Sequence, residues 1–177
     1  IFSNYIDVKY LFKFKNACNG HSKNKNSSFN LPINFNCESI NLINLTHVSF
    51  GYNYNQKIEL SDGITHLDFG DSFNQPIKLN AGLTNLDFGY SFNQPIKLNA
   101  GLTNLVLGYS FNQLFELNKS LKYLKISGNF NQSIQLVESL IKLNLDCFEF
   151  NQHIELNKSL IKLNYGHSFN IPIKLNE

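Results

Sequence analysis

Residues 83–101, LTNLDFGYSFNQPIKLNAG, decide the fold. The nineteen residues before them (64–82, ITHLDFGDSFNQPIKLNAG) and the nineteen after (102–120, LTNLVLGYSFNQLFELNKS) can be laid directly over them. Self-similarity at a fixed short period marks stacked supersecondary units. Inside the unit the alternation has period 2. Leu86 and Phe88 point one way and Asn85 and Asp87 the other; further on, Ile96 and Leu98 oppose Lys97. Such alternation between turn residues is the strand pattern. Asn99-Ala100-Gly101 supplies one turn and Gly89-Tyr90-Ser91 the other. Nineteen residues leave no room for a helix as well. The expected fold is therefore mainly β, a solenoid of flattened coils with a strand on each side.

Outward from this stretch, units begin near Leu45, Ile64, Leu83, Leu102, Leu121, Leu140 and Leu160, with an irregular first unit at 29–44 and one extra residue around Cys147 to Glu149 that is expected to bulge outward. An aromatic–Asn pair marks the units. Phe29-Asn30 reads as its first occurrence, then Tyr54-Asn55, Phe73-Asn74, Phe92-Asn93, Phe111-Asn112, Phe130-Asn131, Phe150-Asn151 and Phe169-Asn170. Stacked at an inter-strand spacing of about 4.8 Å, the Phe column fills the interior. The Asn column, whose amides can both donate and accept, satisfies backbone groups left over at the bends. The Gln after each Asn (Gln56, Gln75, Gln94, Gln113, Gln132, Gln152) either extends that column or sits in water.

Residues 1–28 differ from the rest. Ile1 to Cys18 suits two short helices and Asn19 to Ser28 a polar linker, so the segment reads as a helical cap on the solenoid of 29–177. At the other end, Ile173-Lys174-Leu175 leaves an open strand edge that invites self-association, unless Pro172 and Lys174 blunt it or the chain continues.

A net charge of +2 is too small to draw the chain to nucleic acid or membrane, and all fifteen basic residues are Lys. Without Arg, bidentate phosphate and base-edge contacts lose their usual donor. Cys18, Cys37 and Cys147 match no zinc, redox or disulfide spacing, which suits a reducing, cytoplasmic setting. No apolar run reaches the roughly 18 residues of a membrane span. His21, His47, His66, His153 and His167 share no carboxylate or Cys spacing; His47 and His66, at equivalent positions, read as solvated imidazoles rather than a metal pair. With no nucleophile motif or phosphate loop present, no catalytic, metal or cofactor site is expected.

Phe-Asn-Gln-Pro-Ile (Phe73 to Ile77, Phe92 to Ile96) and Phe-Asn-Ile-Pro-Ile (Phe169 to Ile173) resemble the FNIP repeat, known chiefly from amoebae and the giant viruses that infect them. The resemblance covers Phe29 to Glu177 and implies kinship with leucine-rich repeats, which Leu83-x-x-Leu86-x-Phe88 also resembles. In giant viruses this repeat often follows an F-box, and Ile1 to Cys18 is similar to the second half of one. The segment is thus an F-box remnant or a generic cap. In the first case the resemblance implies that Leu11, Phe12 and Phe14 help engage a Skp-type adaptor in the cytoplasm, of a host cell if the chain is viral.

Variation concentrates on the outward side of the first strand. It runs His47/Ser49, His66/Asp68, Asn85/Asp87, Asn104/Val106, Tyr123/Lys125, Lys142/Asn144 and Lys162/Asn164, grading from acidic through an apolar centre at Val106 and Tyr123 to basic. Such a face suits an extended protein partner; a solvated face drifting between diverging repeats would look the same. The expected function is a non-enzymatic scaffold for protein–protein interaction, most simply the substrate-recognition part of an F-box ubiquitin-ligase adaptor. The alternative is a structural or self-assembling repeat protein.

Overall fold

The computed structural model describes residues 28–31 and 46–166. Eight strands form one parallel sheet in chain order: β1 (Ser28–Leu31), β2 (His47–Phe50), β3 (His66–Asp68), β4 (Asn85–Asp87), β5 (Asn104–Leu107), β6 (Tyr123–Gly128), β7 (Lys142–Cys147) and β8 (Lys162–Tyr165). The register repeats the sequence period: His47 lies beside His66, His66 beside Asn85, Asn85 beside Asn104, Asn104 beside Tyr123 and Tyr123 beside Lys142. Lys142 then pairs with Lys162, one residue longer. The extra residue falls between Cys147 and Phe150, where Phe148 and Glu149 are exposed and the buried pattern resumes after them. The molecule is a parallel β-solenoid, one coil per repeat.

Inside each coil the inward residues form columns. Tyr54, Phe73, Phe92, Phe111, Phe130 and Phe150 stack with ring centroids 6.0–6.1 Å apart. A second column, Phe50, Phe69 and Phe88, lies directly behind the strands at 5.3 and 5.6 Å and continues as Leu107, Ile126 and Leu145. On the outer side of the strands the His47 and His66 rings are only 3.9 Å apart. Separation thus widens from the strand face toward the opposite flank, so the coils fan and the strands lie on the inside of the bend.

This fanning corrects the expectation of two strands per coil. Residues such as Pro76 to Leu79 do alternate between exposed and half-buried, yet the return flank carries no ladder among the described residues beyond an isolated bridge at Glu155. At 6 Å the coils are too far apart for the roughly 4.8 Å backbone ladder, and Pro76 and Pro95 lack the N–H it would need. Asn side chains span the gap instead. The backbone N–H of Asn74, Asn93, Asn112, Asn131 and Asn151 each donates to the Oδ1 of the signature Asn one coil earlier, at 2.8–3.0 Å. The following Gln Nε2 donates to that same oxygen at 3.0–3.3 Å. The amides therefore act chiefly as acceptors rather than linking to one another, and Gln75, Gln94, Gln113, Gln132 and Gln152 extend the column.

A second Asn column does the reverse. The Nδ2 of Asn80 donates to the carbonyls of Asp62 (3.2 Å) and Ile64 (2.8 Å) in the coil before, and Asn99, Asn118 and Asn157 repeat this. Their own Oδ1 atoms are buried without a protein partner. Val137 interrupts the column, and Ser139 Oγ takes over by donating to Leu121 O at 2.8 Å. Read from sequence, these Asn are only turn residues.

At the strand-exit corner Gly89 has φ +65°, and a Cβ there would stand 1.9 Å from the Gly70 carbonyl oxygen. Backbone packs on backbone at this corner, which only glycine allows.

The first unit needs a correction. Phe29 pairs with Val48 and Asn30 with Ser49, so Phe29-Asn30 belongs to a strand and is not the first aromatic–Asn signature. Nineteen residues before Tyr54-Asn55 the sequence has Phe35-Asn36. No helix occurs among the described residues. The expected helical segment with Leu11, Phe12 and Phe14, the ladder pair Phe169 and Asn170, and the strand edge Ile173 to Leu175 lie outside them.

Candidate protein-binding face

Parallel pairing in register places two outward columns side by side on the concave strand face. One runs His47, His66, Asn85, Asn104, Tyr123, Lys142, Lys162; the other runs Ser49, Asp68, Asp87, Val106, Lys125, Asn144, Asn164. An open groove of about 390 Å³ follows the first five rungs, and His66, Asp68, Asn85, Asp87, Asn104, Val106 and Tyr123 line it with His47 and Ser49. Lys125, Lys142, Asn144, Lys162 and Asn164 continue the same face beyond the groove. The acid-to-base order read along the sequence is therefore a spatial order.

A column of threonines fixes the floor. Thr65, Thr84 and Thr103 each donate Oγ1–H to the Thr carbonyl of the preceding coil at 3.0 Å. Thr65 Oγ1 also lies 2.9 Å from His66 Nδ1. A hydroxyl has one proton, and here it is committed to Thr46 O, so His66 Nδ1 must carry the hydrogen and its Nε2 is left as an acceptor. The His47 and His66 rings are nearly parallel, at 17°. Imidazole lone pairs lie in the ring plane, so two stacked rings cannot converge on one ion. Among the described residues no group of three or more His, Cys, Asp or Glu could hold a metal. Burial, reinforced by the neighbouring His47, holds the His66 pKa below its usual value.

The carboxylates are fixed by their own strand ends. Asp68 Oδ1 accepts from the Gly70 N–H at 2.9 Å and Asp87 Oδ1 from the Gly89 N–H at 2.8 Å. Ser49 Oγ donates to the other Asp68 oxygen at 3.2 Å. Burial raises the Asp87 pKa above its ordinary range; Gly89 N–H and Lys125 oppose this, while Asp68 and Asp71 add to it. Asp87 is thus a partly desolvated anion with one oxygen facing the groove.

Cys147 at the end of β7 is buried, and burial, with Asp146 beside it, pushes its thiol up to about 12. A thiol so reluctant to ionise is not a nucleophile.

Sequence reasoning missed an aromatic row at the strand-exit corner. Tyr52 and Tyr90 are exposed, Tyr109 stacks on Tyr90 at 4.6 Å, and Phe148 meets Tyr109 edge-on at 5.2 Å. The signal was a Tyr after the corner Gly in three units. Phe148 lies in the segment that carries the inserted residue.

The structural ladder residues hold successive coils together. Among the described residues no helix is long and apolar enough to cross a membrane. Residues 54–81 match the FNIP repeat family. A solved structure described as CroV588, a novel circular LRR protein, is similar at 31% identity and a TM-score of 0.47, over 83% of this chain and 31% of that one. The chain thus spans under a third of that protein's length. No curated protein matches. The matched stretch spans β3 and its flanking turns within the parallel β-solenoid.

Proposed function

We propose that this chain is a non-enzymatic scaffold that holds a protein partner on its concave strand face. One observation carries the reading. Interior columns scarcely change from rung to rung, whereas the outward pair on the strand face changes at every rung, from His66 and Asp68 to Tyr123 and Lys125. A surface diversified on an invariant frame is what recognition requires. Its apolar centre, Val106 and Tyr123, provides the anchor, and the flanking charges set register.

Within that reading the finer role is substrate recognition for an F-box-type ubiquitin-ligase adaptor in the cytoplasm of a host cell. The resemblance of Ile1 to Cys18 to half an F-box supports it, with Leu11, Phe12 and Phe14 meeting a Skp-type adaptor. Selection from a displayed peptide library tests the scaffold role. Enriched binders should lose at least tenfold in affinity on Val106→Asp or Tyr123→Ala, with the melting profile unchanged. Binders indifferent to both changes would refute it. Co-purification with a Skp-type adaptor, abolished by Leu11→Asp, tests the adaptor role separately. Particles that instead grow with concentration, and stop growing when Lys174 is replaced by Pro, would favour self-assembly.

A further inference from the structure

The strand face does more than offer area: the groove's acidic end and the basic rungs just beyond its other end carry opposite charge, and the interval between them is set by the strand spacing. Asp68 and Asp87 occupy adjacent rungs at one end. Lys125 and Lys142 occupy adjacent rungs of the same face at the other. Val106 and Asn104 lie between them on β5. The only acidic side chain on the basic half of the strand face, among the described residues, is Asp146 at the far end of β7. No charged side chain lies between the two ends on β5, and the field of Lys125 reaches Asp87 across that rung.

The central rung is built for main chain rather than for a particular side chain. Thr84 bonds the Asn85 side-chain amide at 3.0 Å, but the Asn104 side-chain amide makes no hydrogen bond among the described residues and is half-exposed at the groove floor. A carboxamide offers one donor pair and one acceptor, which match a peptide unit.

We propose that the groove and the basic rungs that continue it bind an extended peptide lying across the strands, with a basic side chain against Asp68 and Asp87, an acidic side chain against Lys125 and Lys142, and its backbone bonded by Asn104. This rests on the protein-binding reading above and adds the chemistry of the partner. The geometry also sets the spacing of the two charges. Asp87 and Lys125 are two strands apart and Asp68 and Lys142 four, roughly 10–19 Å at about 4.8 Å per strand, which an extended peptide covers in roughly three to six residues at about 3.3 Å each. The opposite ends also fix which way the peptide runs.

The test is the same library selection, read for charge and order. Selected sequences should carry a basic and an acidic residue roughly three to six apart. Asp68→Asn with Asp87→Asn should remove the basic preference alone, and Lys125→Gln with Lys142→Gln the acidic preference alone. Each pair should weaken a synthetic binder by ~10-fold, the order of one or two partly exposed ion pairs. Asn104→Ala should weaken binders of every charge pattern alike. Raising salt should close the gap between wild type and the charge variants. Binders that need Val106 and Tyr123 but show no charge pattern would overturn this proposal and leave the scaffold reading standing; binders that need neither would overturn both. A concentration-dependent dimer lost on Asp87→Asn would make a second copy of the chain the occupant, and would overturn it too.

Discussion

The two asparagine columns should respond in opposite senses to the same substitution. Asn112 contributes only its oxygen: Oδ1 accepts from the Asn131 N–H at 2.9 Å and the Gln132 amide at 3.1 Å. Asn80, more than nine-tenths buried, contributes only its NH₂, aimed at the carbonyls of Asp62 and Ile64. In Asn112→Asp both bonds survive on a carboxylate, and the loss should stay under about 1 kcal/mol. Asn112→Ala orphans a half-buried N–H and should cost about 1–2 kcal/mol. In Asn80→Asp a carboxylate oxygen faces two carbonyl oxygens, and an uncompensated buried charge costs about 3–5 kcal/mol. Thermal melts at pH 7 should separate the variants, since 1 kcal/mol moves the midpoint by about 2–4 °C in a chain of this length. Asn112→Asp should then fall by less than about 4 °C and Asn80→Asp by more than about 6 °C. Acid should partly rescue Asn80→Asp alone, because the protonated carboxyl can donate to one carbonyl. Equal losses at the two sites, or the reverse order, would refute the division of labour between acceptor and donor columns.

Phe111, fully buried mid-column, should cost about 3–5 kcal/mol as Ala in urea unfolding; Phe111→Leu should cost markedly less, since the neighbouring column already passes from Phe88 to Leu107. Gly89→Ala combines positive φ with a Cβ 1.9 Å from the Gly70 oxygen, so a loss of at least about 2 kcal/mol is expected by the same assay. The pKa of His66 is depressed from 6.5, so the unfolded chain takes up the proton first and stability falls as pH drops below that value. His66→Asn should flatten the melting profile between about pH 5 and 7. Asp87 has the opposite sign: its pKa is raised from 3.8, so its charge burdens the fold above the folded pKa. Asp87→Asn, which keeps the acceptor for Gly89, should raise the midpoint at pH 7 and leave it unchanged near pH 3.

The period, the inward and outward faces and the Phe column are legible because each depends on residue type at a fixed spacing. Leu86 and Phe88 could only point inward together. The absence of pairing on the return flank is not legible for a physical reason: alternation in Pro76 to Leu79 reports burial, while pairing depends on coil separation, which the fan of the aromatic columns widens. Asn80 looked like an ordinary turn residue because its burial is decided by the coil before it. Phe29-Asn30 matches the signature as a dipeptide, and only the register with Val48 and Ser49 shows that it lies in a strand. On the candidate face, the order of charges could be read directly. The commitment of the Thr65 proton, and hence the His66 tautomer, depends on the carbonyl of Thr46 one coil earlier, which only the folded stack brings within reach.

Every ladder bond described above reaches one coil back and no further. The joint between Gly82 and Leu83 is chemically the joint between Gly101 and Leu102, so an in-frame loss of residues 83–101 would reseal with the same backbone joint and the same interior columns, and a duplication would insert as smoothly. Length is thereby uncoupled from design. Such a chain can gain or shed recognition positions by copying itself, and can alter each one afterwards without disturbing the column that carries it.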